Sequence, residues 1–226
     1  MVLMLARGLD HPRGSRRPQN GRVTDSAPAS PRRPGPVRLV GRTVVLEPLA
    51  DEHLDGLRDA IARPAVFAGG YGGGPAGLDP DPVAFRAFLL RYYPWGTGLP
   101  YAVLVEGRVV GATALADFDE TREAAHLGWT AYAPEVWGGA VNPETKRLLL
   151  GLAFDSGYSR VKLQADAANA RSRAAILRLG ATFDGVLRHD QRRADGSWRD
   201  TAVHSILREE WPTVRDGLDR RLAALR

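Results

Sequence analysis

The run Trp137-Gly138-Gly139-Ala140-Val141-Asn142-Pro143-Glu144 is the first place in this chain where residue types and spacing suggest chemistry. Small residues lead directly into a helical pattern, with Asn142 suited to the N-cap and Pro143 to the first helical position. The free amides and the dipole at such a helix end attract an anion, typically phosphate. The same residues also serve as an ordinary turn. They are not a P-loop, because Lys-Ser/Thr does not follow the glycines. Downstream, Asn169-Ala170-Arg171-Ser172 opens a second helical pattern that runs to Leu179 and stops at Gly180, with Ser172 able to cap it. His126 stands on a strand pattern before the glycine loop, and Asp190 at the end of a later one. The chain has no Cys, which excludes a disulfide scaffold, Cys-ligated zinc, an iron–sulfur cluster and a thiol nucleophile. Its five His show no His-x-x-x-His spacing, so no metal is expected.

The elements that must position these residues follow from periodicity. Arg42 to Leu46 alternates as a strand, and Leu49 to Ile61 has helical spacing. Gly69 to Gly77 is a glycine-rich loop, and Asp81-Pro82 starts a helix that continues to Tyr93. Tyr92, Tyr93 and Trp95 could wall a substrate site, but their spacing assigns most of them to core. Tyr101–Val105, a Glu106-Gly107 turn and Arg108–Ala116 make a hairpin, and Ala124–Tyr132 is a further strand. Pro143–Phe154 reads as a strong helix, with Leu148, Leu149, Leu152 and Ala153 as its apolar face. Val161, Leu163 and Ala165 alternate as a strand. Thr182–His189 and Trp198–Leu207 form a hairpin through Asp195-Gly196. Trp211-Pro212 opens a last amphipathic helix over 212–226. Strands mixed with helices, and antiparallel hairpins at both ends, predict an α/β or α+β fold.

With 226 residues, 44% apolar and 25% charged, the chain has ample material for one domain core. The net charge of +5 is unevenly placed. Residues 1–38 hold eight Arg against Asp10 and Asp25, while the remainder carries 23 basic and 24 acidic residues. The folded part is nearly neutral, which removes the basic-domain argument for nucleic acid. Residues 1–38 are rich in Arg, Pro, Gly and Ser and are expected to be a disordered basic arm. A secretory signal is a poor match, because the charge follows the short apolar opening. No stretch approaches the roughly 20 apolar residues of a membrane span. A reducing cytoplasm is the default location for such a chain.

Taken together, these segments resemble the GNAT superfamily of acetyl-CoA-dependent N-acetyltransferases. The closer resemblance is to its ribosomal-protein N-terminal (alanine) acetyltransferase branch. It rests on Leu127-Gly128-Trp129, on Trp137-Gly138-Gly139-Ala140-Val141-Asn142-x-Glu144-x-Lys146, and on Asn169-x-Arg171-Ser172 leading to Leu179-Gly180. Gly185-Val186-Leu187-Arg188 and Asp195-Gly196-x-Trp198-Arg199-Asp200 extend it, so that it covers about residues 39–211. The usual Arg/Gln-x-x-Gly-x-Gly/Ala phosphate signature is altered here to Trp137, Ala140 and Asn142, a departure that main-chain recognition tolerates.

The resemblance implies a mixed, mostly antiparallel central sheet, split near its middle, with helices on both faces. It also implies acetyl-CoA with its pyrophosphate on the amides of Gly138 to Asn142, beside Trp137, and Asn169 and Ser172 contacting the cofactor near its thiol end. The Tyr that many relatives use as an acid is replaced by Ile176, and Ser172 matches the Ser that takes that role in the branch. His126 stands where Glu is frequent and could accept the amine proton directly or through water, or it is simply a partly buried, hydrogen-bonded His. Asp190 occupies a place where some relatives have a carboxylate base, and a solvated strand end is the other account of it. Arg188, Arg192, Arg193 and Arg199 cluster near the final hairpin, either as a solvated face or to guide an acidic acceptor or bind the nucleotide phosphate. The expected reaction is acetyl transfer to a primary amine by direct attack, the amine being a protein N-terminus or a small molecule. A cofactor-binding module without turnover, and an interaction protein recruited through its basic arm, are the alternatives. Relatives occur as monomers and homodimers.

Overall fold

The computed structural model describes residues 30–225. Its strands are β1 (Leu39–Val40), β2 (Val45–Pro48), β3 (Leu99–Val105), β4 (Arg108–Asp119), β5 (Ala124–Tyr132), β6 (Arg160–Asp166), β7 (Thr182–Arg192) and β8 (Trp198–Leu207). The helices are α1 (Leu54–Ile61), α2 (Pro64–Phe67), α3 (Pro82–Tyr92), α4 (Val141–Asp155), α5 (Ala170–Leu177) and α6 (Trp211–Ala224). The eight strands form one sheet in the order β1-β2-β3-β4-β5-β6-β8-β7. Every neighbouring pair is antiparallel except β5–β6, which is parallel and pairs only Ala124–His126 with Arg160–Lys162. Beyond His126 the two central strands part. This is the expected fold, and the split is the feature that makes room for a ligand.

Side-chain alternation along the central strands feeds two apolar layers. Tyr101 and Val103 of β3 point to one face, where Leu149, Leu150 and Ala153 of α4, Ile176 of α5 and Trp211, Val214 and Leu218 of α6 complete a core. Ala102, Ala112 and Ala131 point to the other, and their small size lets Leu57 and Ile61 of α1, Phe67 of α2 and Phe85 and Leu89 of α3 pack closely. Glu144 locks α4 onto the sheet. Its buried carboxylate accepts the amides of Arg42, Thr43 and Val44 at 2.8, 2.7 and 2.9 Å, which satisfies the turn between β1 and β2. Gly41 is required at that turn, because a Cβ there would lie 2.7 Å from the Glu144 Cδ.

Three expectations need correction. Residues 30–38 form no helix or strand but are not a free arm. The Arg32 amide donates to the Ser156 carbonyl at 2.9 Å, and the Arg33 guanidinium donates to the Gly96 and Gly98 carbonyls at 3.0 Å and covers Phe118. Composition averages hide such contacts, since an Arg stem packs while its head hydrogen-bonds. The rest of the expected arm, residues 1–29, lies outside the described residues.

Helix α4 starts at Val141 with Ala140 as N-cap, so Asn142 is its second residue and not the cap. Pro143 fits the third position because the first-turn amides have no helical acceptor in any case. Helix α5 is capped by Asn169, whose Oδ1 accepts the Ser172 amide at 2.9 Å, and Ser172 is therefore not the cap. Asp81 caps α3 as its sequence context requires, accepting the Ala84 amide at 2.8 Å.

Candidate active site

Where β5 and β6 part, a cavity of about 380 Å³ opens between them. Leu127–Thr130 of β5 and Leu163–Asp166 of β6 form its two walls. The register of β4 against β5 steps from Ala112↔Ala131 to Ala114↔Gly128, so β5 carries one extra residue there. Trp129 takes a left-handed φ of 49° at this bulge. A bulge bends its strand and turns side chains and amides toward a site, and here it widens the gap.

One end of the cavity is the glycine loop. Trp137, Gly138, Gly139 and Asn142 line it. The Trp137 amide closes a turn on the Pro134 carbonyl at 3.1 Å and the Glu144 amide reaches Ala140 at 3.0 Å. Between these two bonds, Gly138 to Asn142 hold the amides that a helix start leaves for an anion. Ala140 and Val141 are not among the residues that line the cavity, the Val141 side chain being buried in the core. Gly138 has φ +81°, which favours glycine, whereas a Cβ at Gly139 would meet only the Val136 carbonyl at 3.6 Å. The Arg171 guanidinium lies 3.7 Å over the Trp137 ring, and Arg178 and Arg221 line the same cavity. Loop amides and three cations suit a polyphosphate ligand such as the expected coenzyme.

The middle of the cavity holds His126. Its ring is buried, with Nδ1 2.9 Å from Asp117 Oδ2 and Nε2 buried without a hydrogen-bond partner. Asp117 reaches it from the neighbouring strand because a second register irregularity of β4, between Ala116 and Asp119, places Asp117 at φ +50°. Asp tolerates that left-handed conformation better than most residues. Gly128 leaves the ring its room, since a Cβ there would lie 2.7 Å from His126 Nε2. Burial pushes the His126 pKa below its ordinary value against the opposing pull of Asp117. The hydrogen bond from His126 in turn holds the Asp117 carboxyl below the usual carboxylate range. The ring is therefore neutral near pH 7, with the Asp117 carboxylate favouring the proton on Nδ1 and a lone pair on Nε2. Lys146, also buried and lining the cavity, donates to Thr113 Oγ1 at 3.0 Å and Thr130 Oγ1 at 2.6 Å. Burial brings its ammonium down to about 7.

On the far wall, Asn169 and Ser172 line the cavity from the start of α5. The Asn169 side chain is already engaged at both ends, accepting the Ser172 amide and donating to the Gly69 carbonyl. It straps the glycine-rich segment to α5 and keeps one N–H for a ligand.

Asp190 is not brought to the site. It is exposed on β7 beside a register irregularity between Leu187 and Gln191, where His189 has φ +51°. That bulge shifts the alternation, and Gln191 lines the cavity in its place. Sequence reasoning missed Asp117, which reads as one more strand residue, and gave Lys146 no role. Among the described residues no group of three or more His, Cys, Asp or Glu could hold a metal, and no helix is long and apolar enough to cross a membrane.

Comparison with known proteins agrees with this geometry. The Acetyltransferase (GNAT) domain profile matches residues 43–182, more than half of the chain. A search of curated proteins returned no significant match. A GCN5-related N-acetyltransferase from Brucella melitensis superposes with a TM-score of 0.77 at 27% identity, over 85% of this chain and 89% of that one. A protein from T. thermophilus, itself only provisionally assigned as an acetyltransferase, gives 0.76 at 35% identity over 84% and 98%. Mycobacterium smegmatis RimJ in complex with CoA-disulfide shares the fold, with a TM-score of 0.65 at 20% identity over 80% and 88%.

Proposed function

The chain belongs to the GNAT acetyltransferase family, acyltransferases that draw their acetyl group from acetyl-CoA, and from that premise we propose that it acetylates a primary amine by direct attack with His126 as the general base. The observation that carries this reading is the pairing of a buried, neutral imidazole with Asp117 on one nitrogen and nothing on the other. The loop Trp137–Asn142, with Arg171, Arg178 and Arg221, would hold the phosphates, and Ser172 and the spare Asn169 N–H would lie along the far wall. Bound there, acetyl-CoA supplies a thioester carbonyl to the attacking amine. As the C–N bond forms and the C–S bond breaks, the amine proton passes to His126 Nε2 and the Ser172 hydroxyl donates one to the departing sulfur. The absence of Cys supports direct transfer, since no thiol is present to carry the acetyl group. A cytoplasmic setting, where acetyl-CoA is made and used, is consistent with the composition.

The test is release of the CoA thiol with a panel of primary amines, comparing the parent with His126→Gln. The variant should lose about 10²–10⁴ in kcat/KM while binding acetyl-CoA as before. The parent's activity should fall along an acid limb that lies below the ordinary histidine value of about 6.5, because burial depresses the His126 pKa. Full activity in His126→Gln would remove the histidine from the reaction.

A further inference from the structure

Beside the main cavity lies a second, of about 320 Å³, and the two share Gly70, Tyr92, Gln191 and Arg199. These four residues form a throat between the two cavities. The glycine-rich segment roofs it. Asn169 fixes Gly69 from one side, and the Ala194 amide donates to the Gly73 carbonyl at 3.0 Å from the other. A Cβ at Gly73 would lie 2.9 Å from the Ala194 nitrogen, so the roof sits directly on the turn between β7 and β8.

The charges around this throat do not balance. Asp166 is the one carboxylate among the described residues that line either cavity, and it is committed to Arg193, with Nη2 to Oδ2 at 2.6 Å. Arg192 is spent on the Trp198 ring at 3.7 Å and on the Gly196 carbonyl at 2.7 Å. Arg199 is different. Its Nη1 donates to the neutral Gln191 Oε1 at 3.2 Å, its Nε is buried without a partner, and no carboxylate of the described residues is within ion-pair distance. A guanidinium carries five donors in a planar fork, and buried donors left unmade are costly. The group that satisfies such a fork best is a carboxylate received in bidentate fashion. The Trp137 loop has cations of its own for the donor's phosphates, with Arg171 stacked on Trp137 and Arg178 and Arg221 lining the same cavity.

Resting on the amine-acetylation reading above, we propose that the acceptor carries a carboxylate as well as its amine, and that Arg199 receives that carboxylate in the throat while the amine is presented to His126. The carboxylate is either that of a free amino acid or that of an acidic residue following a peptide N-terminus. Both sources present the same chemistry to Arg199.

The experiment uses the full chain, acetyl-CoA and matched acceptor pairs, read as CoA release. One arm compares L-α-amino acids with their carboxamides, and the other compares Ala-Glu-amide with Ala-Gln-amide. In at least one arm the carboxylate member should win by tenfold to about a hundredfold in kcat/KM, the value of a charge-assisted hydrogen-bond pair. The arm that responds identifies the source. Arg199→Gln should collapse that ratio toward one. Arg199→Lys, which keeps the charge but loses the fork, should reduce it severalfold and carries the test where the Gln variant does not fold. Acceptors used without regard to the carboxylate, or a ratio that survives both substitutions, overturn the proposal and leave amine acetylation standing. Where no amine is acetylated, calorimetric titration of the CoA-bound protein with the same pairs decides. Binding that needs both the carboxylate and Arg199 then supports the clamp without the reaction, and its absence sinks the clamp too.

Discussion

The two ends of the cavity are built from different materials. At the donor end, five successive residues, Gly138 to Asn142, offer backbone amides, and the bonds that shape the loop span only a few positions in the chain. Under the glycine-rich segment, where we propose that the acceptor binds, side chains do the shaping and their partners are far apart in sequence. Asn169 holds Gly69, Arg193 holds Asp166, and Ala194 holds Gly73. Backbone recognition tolerates changes of side chain, whereas a site made of side chains changes its ligand with each substitution. One half of the molecule can therefore fix the chemistry while the other varies the acceptor.

Lys146 lines the cavity from α4, is bonded to threonines of β4 and β5, and offers the largest effect. Below about pH 7 the folded and unfolded chains both hold its proton. Between about 7 and the ordinary lysine value near 10.4, the unfolded chain holds a proton that the folded chain has lost, so stability rises with pH. Two pH units in that window are worth about 2–3 kcal/mol at most. Urea unfolding at pH 7 and pH 9 should show this gain in the parent and not in Lys146→Met, which should also be the more stable of the two at pH 7. Equal slopes would mean that the ammonium is solvated and not held in a dry site.

The donor end is sharpened by a pair of substitutions at one position. Gly139→Glu puts a carboxylate where the phosphates are expected and should raise the KM for acetyl-CoA about a hundredfold without lowering the melting temperature. A ligand at 100 times its Kd stabilises the native state by about 2.7 kcal/mol, so the thermal shift with acetyl-CoA should vanish as well. Gly139→Ala should leave both nearly unchanged, because its Cβ has room. If alanine is as damaging as glutamate, the loop works through close packing and not through its amides.

That contrast also explains what could be read from the chain beforehand. The strand and helix order was legible because it depends on alternation, caps and glycines within a short window, whereas the split of the sheet and the role of the glycine loop came from the resemblance to a family. Asp117 was not legible, since its approach to His126 depends on a bulge two strands wide. For Asp190 a similar bulge decided between a catalytic place and a solvated strand end in favour of the latter, and the cap of α5 moved from Ser172 to Asn169 by three residues. The strap that Asn169 forms could not be foreseen, because nothing near it announces Gly69 as a partner. Asn169→Ala removes both the cap and the strap and should cost about 1–2 kcal/mol. Limited proteolysis should then cut the Gly69–Gly77 segment first. Cleavage elsewhere would show that the roof is held by Ala194 alone.

The smallest effect is the most discriminating. Asp117 touches His126 and not the reacting atoms, so it is a positioning residue. Asp117→Asn should lower kcat about tenfold, toward the bottom of the range for a general base, while the KM for acceptor stays within twofold to threefold. The sign of the pH response separates this role from a structural one. Asp117 raises the His126 pKa against the lowering effect of burial. Removing its charge leaves burial less opposed, so the acid limb of the rate profile should move to lower pH even as the plateau falls. A residue that merely held β4 against β5 would lower the plateau and leave the limb where it was. Movement of the limb toward higher pH would reverse the assignment, because the carboxylate would then have been favouring the neutral ring.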